Sequence, residues 1–189
     1  ATSENLFKIY KLRGKAWLLQ DEATKAVDDF NLMLQNAENV SDESMMAEAH
    51  SCLGSAYASI EEFAPYFSFP GFCTRVMPHF TTALEMARKT GNKRLEGKIL
   101  GQIGDAFIAT VDTMNEGRMH LEESSRICRE IGDKVNEANS LAGLGWYYNW
   151  KGEFNLAKEN IKKALAVEEE VQVTPRIISD LFMLSIILA

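Results

Sequence analysis

The sequence predicts an all-α protein in which one helix-pair unit recurs four times, followed by one further helix. Three observations carry that prediction. Gly14, Gly54, Gly104 and Gly145 stand 40, 50 and 41 residues apart, and Ser185 follows 40 later. Large side chains keep fixed offsets from them: Trp17, Tyr57, Phe107, Tyr148 and Leu188 three residues after, and Tyr10, His50, Leu100, Leu141 and Leu181 four before. Three more series keep the same step: Ala26, Val76, Gly117, Ala157; then Phe30, Phe80, Leu121, Ile161; then Met33, Ala83, Ser124, Ala164. In the first helix of each pair, the glycine admits a neighbouring helix and the large residue fills the space beside it. In the second, the small-x-x-x-large-x-x-small spacing places three residues on one stripe. No single pair buries enough apolar surface alone, so the pairs must stack.

Taken in order, the expected helices run over 3–19, 22–38, 42–60, 73–90, 93–111, 113–131, 134–151, 153–171 and 174–189. Ser41, Asn92, Asp133 and Thr174 sit where N-caps are needed, and Pro175 suits a first helical turn. Gly91, Gly132 and Gly152 mark helix ends. The second unit carries an insert, residues 61–72, in which Pro65, Pro70 and Gly71 forbid a continuous helix. Its aromatics are too many for a solvated loop. Packing back onto the helices is the first expectation, and Phe67, Phe69 and Phe72 serve as a second interface in the alternative. The last segment leaves Phe182, Met183, Ile186 and Ile187 as apolar surplus, which predicts that the chain continues into a longer protein or is covered by another subunit.

Composition narrows the function classes. The 189 residues are 46% hydrophobic and 25% charged, and the formal net charge is −7. That balance fits a folded, soluble chain and argues against a nucleic-acid footprint. Cys52, Cys73 and Cys128 are an odd count without Cys-x-x-Cys spacing, so a reducing compartment, the cytoplasm by default, is expected, with an organelle still open. The start lacks the basic-then-apolar order of a signal peptide, and no apolar run is long enough to span a bilayer. His50, His79 and His120 are scattered, with His50 on the packing stripe. No metal-ligand spacing, nucleophile elbow or phosphate loop is present. No enzyme activity, cofactor or metal is expected.

The segments Leu53-Gly54-Ser55-Ala56-Tyr57 and Leu144-Gly145-Trp146-Tyr147-Tyr148, the latter followed by Ala157-x-x-x-Ile161-x-x-Ala164, resemble the tetratricopeptide (TPR) signature. The connections at Gly91-Asn92-Lys93 and Gly132-Asp133-Lys134 make the chain similar to the longer, roughly 40-residue repeats of LGN/Pins-like adaptors. The resemblance covers nearly the whole chain. It implies a single domain over 1–189, a right-handed α-solenoid of antiparallel helix pairs: four repeats plus a C-terminal helix. Arg13 departs from the usual Leu, and Gly117 and Ser124 from the usual Ala.

Such solenoids bind partners on the face lined by the first helices. Counting from each glycine places Lys8, Lys11, Lys15, Lys98, Asp105, Asn139, Trp146 and Asn149 there, with Trp150 adjacent. The lysines suit carboxylates of an acidic peptide, or form an ordinary solvated face. Trp146 and Trp150, one turn apart, suit an apolar anchor, and the asparagines suit a ligand backbone. The chaperone carboxylate clamp of some TPR domains is matched at Lys11 and Lys98, while Lys15, Ser55 and Gln102 replace its other three members. The leading expectation is an adaptor or scaffold that binds a peptide segment of another protein. The alternatives are a regulatory module of a larger signalling or enzyme protein, and a self-associating structural protein.

Overall fold

The computed structural model describes residues 2–62, 72–108 and 112–171. Helices α1 (Ser3–Leu18), α2 (Ala23–Asn39) and α3 (Glu43–Glu62) come first. A π turn, Phe72–Val76, leads into α4 (Met77–Lys89), and α5 (Lys93–Ile108), α6 (Met114–Glu130), α7 (Lys134–Trp150) and α8 (Phe154–Val171) follow. Eight expected helices therefore appear within a few residues of their anticipated bounds. The ninth, over 174–189, and most of the insert lie outside the described residues. Among the described residues there is no strand.

The turns are chemically alike. Gly91, Gly132 and Gly152 have φ of +69°, +71° and +75°, the left-handed geometry that closes a helix. After that residue, the next backbone N–H returns to a carbonyl five residues back, as in Asn92 to Ala87 (2.9 Å) and Asp133 to Cys128 (2.8 Å). Asn92 and Asp133 then cap the following helices, accepting from the N–H groups of Leu95 (3.1 Å) and Asn136 (3.4 Å). Ser41 corrects the sequence expectation. It is not the cap but takes the left-handed position, φ +54°, and Asp42 caps α3 by accepting from Met45 (2.9 Å). Two cap-type residues stand in tandem there, and the second of them makes the cap.

The chain divides into two compact units, Ala1–Leu95 and Glu96–Ala189. In the first, Phe7, Phe30, Met33, Ala49, Cys52, Leu53 and Ala56 share one buried core. In the second, Leu141, Ala142, Ile161, Ala164 and Leu165 form another, with Trp146 packed against it. The same contact recurs in every helix pair. A Cβ on Gly14 would run into the Phe30 ring, and one on Gly54 would lie 2.6 Å from Phe80 Cε1. One on Gly104 would lie 2.6 Å from Leu121 Cγ, and one on Gly145 2.5 Å from Ile161 Cδ1. The predicted second-helix stripes are buried at all four levels, from Ala26, Phe30 and Met33 to Ala157, Ile161 and Ala164.

Each departure from the repeat pattern has a local cause. Arg13 pairs with buried Asp29 through two guanidinium nitrogens, Nε (2.7 Å) and Nη2, and the Trp17 indole N–H donates to the same carboxylate (3.1 Å). Gly117 is needed because a Cβ there would meet the Ile108 backbone nitrogen at 2.8 Å and the Gly104 carbonyl at 2.9 Å. Ser124 is buried and donates to the Gly97 carbonyl (2.7 Å). One surface feature breaks the pattern differently. Ile9 and Leu12 on α1, and Leu19 just past its end, are exposed apolar residues, whereas Ala49 and Cys52, the counterparts of Ile9 and Leu12 one repeat on, are buried.

Candidate functional site

Helix α5 turns Ile99, Leu100, Ile103 and Gly104 inward, so the opposite stripe carries Lys98, Gly101, Gln102, Asp105 and Ile108, all partly exposed. Two depressions open on this face in the second unit. The first, about 130 Å³, is lined by Lys98, Gly101, Gln102, Asp105 and, from α6 and α7, Ser124, Asn136, Asn139 and Ser140. The second, about 160 Å³, is lined by Asp105, Ile108, Trp146 and Trp150. Asp105 belongs to both. Its carboxylate lies against the α7 backbone because residue 143 is glycine: a Cβ there would be 2.5 Å from Asp105 Oδ1. The floor of the first depression is polar. Ser124 Oγ lies 2.7 Å from Ser140 Oγ, which is 2.9 Å from the Asn136 carbonyl, so two hydroxyl protons serve three contacts.

Six residues singled out in the sequence thus line the two depressions: Lys98, Asp105, Asn139 and Trp146 from the register, Trp150 beside it and Gln102 from the clamp comparison. Asn149 is partly exposed on α7 but lines neither depression. Lys8 and Lys15 are exposed on α1 in the first unit, while Lys11 is joined to Glu48 at 2.6 Å. Phe67 and Phe69 lie outside the described residues. Phe72 opens the π turn, and its side chain also lies outside the description. Among the described residues no group of three or more His, Cys, Asp or Glu is placed to hold a metal ion.

No family model matches the chain, and no curated protein is significantly similar to it.

Sequence reasoning missed Ser124, Asn136, Ser140 and Gly143 at this site. Asn136 lies one turn before Asn139, and Ser140 one turn after Asn136, so both were within reach of the helical spacing. Gly143 needed the neighbouring helix, because its role is room for Asp105. The histidines also need correction, since two of the three are not scattered. His50 and His79 meet with their Nδ1 atoms 3.0 Å apart, and Tyr57 stacks on His79 at 5.4 Å. The register contains the signal. In three of the four units the residue before the large second-helix residue meets the one three after the glycine: Asp29 with Trp17, His79 with Tyr57, and His120 with Phe107, ring centroids 5.9 Å apart.

The histidine pair sets a pH dependence. Burial pushes His50 below the ordinary imidazole value; burial, then the neighbouring His50, does the same to His79. The unfolded chain therefore holds more protons than the folded one just below the usual histidine value of about 6.5. Stability is full above that value and falls as pH drops through the lowered folded values. Urea unfolding between pH 5 and 7.5 is expected to show a rising midpoint, and His79→Phe is expected to flatten that rise.

Proposed function

We propose that this chain is a TPR-type interaction scaffold that holds an extended segment of another protein on the α5–α7 face. The observation that carries the reading is the convergence of Lys98, Gln102, Asp105, Asn139, Trp146 and Trp150 on two adjoining depressions that share Asp105. Amide side chains there can hold a ligand backbone without demanding its sequence, and the indoles supply contact area for a side-chain anchor. The recurrent glycine contacts support the TPR arrangement, with the right-handed stacking that the resemblance implies. Buried free thiols at Cys52 and Cys128 go with a cytoplasmic setting. No helix among the described residues is long and apolar enough to cross a membrane. Capture of partners by the chain, with Trp146→Ala as the control, tests the reading.

Self-association is a second reading, favoured by the α1 stripe. Ile9 is 50% exposed and Leu12 69% exposed, at positions whose counterparts in α3, Ala49 and Cys52, are buried. If that stripe joins two copies, light scattering is expected to show a concentration-dependent dimer that Leu12→Glu returns to monomer. A concentration-independent monomer in the unsubstituted chain removes this reading.

A further inference from the structure

We infer that the exposed face of α1 docks an amphipathic helix of another protein, one whose apolar stripe is flanked by carboxylates. The site is separate from the α5–α7 face and does not rest on it. Lys8, Ile9, Leu12, Lys15 and Ala16 are all exposed, and their spacing puts them within about 120° of the α1 circumference. Phe7 and Gly14, on the other side of the helix, are buried. The repeat shows what covers such a face. Forty residues on, Ile9, Leu12 and Ala16 become Ala49, Cys52 and Ala56 of α3, all buried. Those three share one core with Met33 and Ala37 of α2, which returns against α3 after the short turn at 40–42. The same face on α1 therefore suits a helix, running antiparallel to α1 as α2 runs to α3. Ile9 and Leu12 are larger than Ala49 and Cys52, so close approach needs small residues opposite them.

Charge selects the helix. The α3 counterparts of Lys8 and Lys15 are Glu48 and Ser55, so this edge of the face is basic only on α1. Lys8 and Lys15 stand two turns apart on that edge, and neither makes an ion pair among the described residues. Lys11 and Arg13 are already engaged, by Glu48 and Asp29. Glu4, one turn before Lys8, offsets part of its charge but lies about 16 Å along the axis from Lys15. A helix laid on Ile9, Leu12 and Ala16 covers the lysine stems and leaves their ammonium heads at its border. Carboxylates seven residues apart on that border meet both heads, while a basic helix is repelled there. A second copy supplies no such helix. Its α1 brings the same lysines, and among the described residues no other helix exposes two large apolar residues three or four positions apart.

The test is a titration with two alanine-rich peptides of about 18 residues, long enough to be helical alone. Both carry the same stripe of alanine and leucine. One has glutamate, the other lysine, at flanking positions seven apart. The Ile9 and Leu12 methyl resonances are the readout, at about 0.15 M salt so that distant charges are screened. The glutamate peptide is expected to shift both methyls and to bind roughly tenfold tighter than the lysine peptide. The net charge of −7 favours the opposite order, so general attraction cannot mimic that result. Lys8→Glu combined with Lys15→Glu is expected to reverse the preference, and Leu12→Glu to weaken the glutamate peptide roughly tenfold. These sites are exposed, and circular dichroism confirms that the variants fold. Equal binding of the two peptides overturns the proposal, as does the absence of a methyl shift with either. Methyl shifts on dilution of the chain alone mean that two copies share the face, which overturns it in favour of self-association. Partner capture with Trp146→Ala judges the groove separately.

Discussion

Phe80→Ala is expected to destabilise the first unit by about 3–5 kcal/mol, a loss that urea unfolding measures. Phe80 is fully buried between α3 and α4, with its ring edge against the backbone at Gly54. Truncation removes the ring's transfer energy and leaves a cavity beside a residue without a side chain to fill it. The converse change, Gly54→Ala, forces a methyl to within 2.6 Å of Phe80 Cε1, so the ring or the helix must shift. That overpacking is expected to cost about 1–3 kcal/mol. The two sites should be strongly coupled. In Gly54→Ala with Phe80→Leu, the shorter side chain vacates the ring edge that the methyl needs, so the double variant is expected to lose less than the sum of the single losses. Strict additivity would mean that glycine and ring do not share that space. The same logic applies to Gly145 with Ile161, where the contact is as close.

Trp146→Ala is expected to weaken capture of a partner by more than tenfold, about 1.4 kcal/mol or more, while the helical circular-dichroism signal is retained. Tryptophans that are seated on a core yet reach a groove are typical binding anchors. Trp146 meets both conditions, packing on the α7–α8 core and lining the depression with Asp105. The substitution also removes packing, so a moderate fall in the unfolding midpoint accompanies it, and binding is compared well below that midpoint. Partner binding that is unchanged in Trp146→Ala defeats the α5–α7 assignment. Lys11→Glu is a less clean test of the groove. Lys11 already pairs with Glu48, so the variant brings two carboxylates together, and any lost binding mixes two causes.

Much of the fold was legible because packing in a helix pair repeats. A glycine facing a large residue leaves a trace at a fixed spacing, and Gly14, Gly54, Gly104 and Gly145 could be read from that spacing alone. Turn glycines were legible for a local reason, since only a residue tolerant of positive φ closes a helix this way. Ser41 was misplaced because serine serves both as a cap and, less readily, in the left-handed position, and the choice depends on where α2 stops. Arg13 read as an anomaly because its partner, Asp29, lies on another helix.

The sequence by itself determined which residues face inward on each helix, because burial follows a helical period that is visible along the chain. It therefore also placed Lys98 and Asp105 on the outward stripe of α5, and Asn139 and Trp146 on that of α7. Only the tertiary structure decided which of those side chains meet. The Asp105 carboxylate lies against α7 because Gly143, on that different helix, has no Cβ, and His50 touches His79 because α3 and α4 meet there. Such contacts depend on distances between helices, and these are set by the summed packing of many side chains rather than by spacing along the chain.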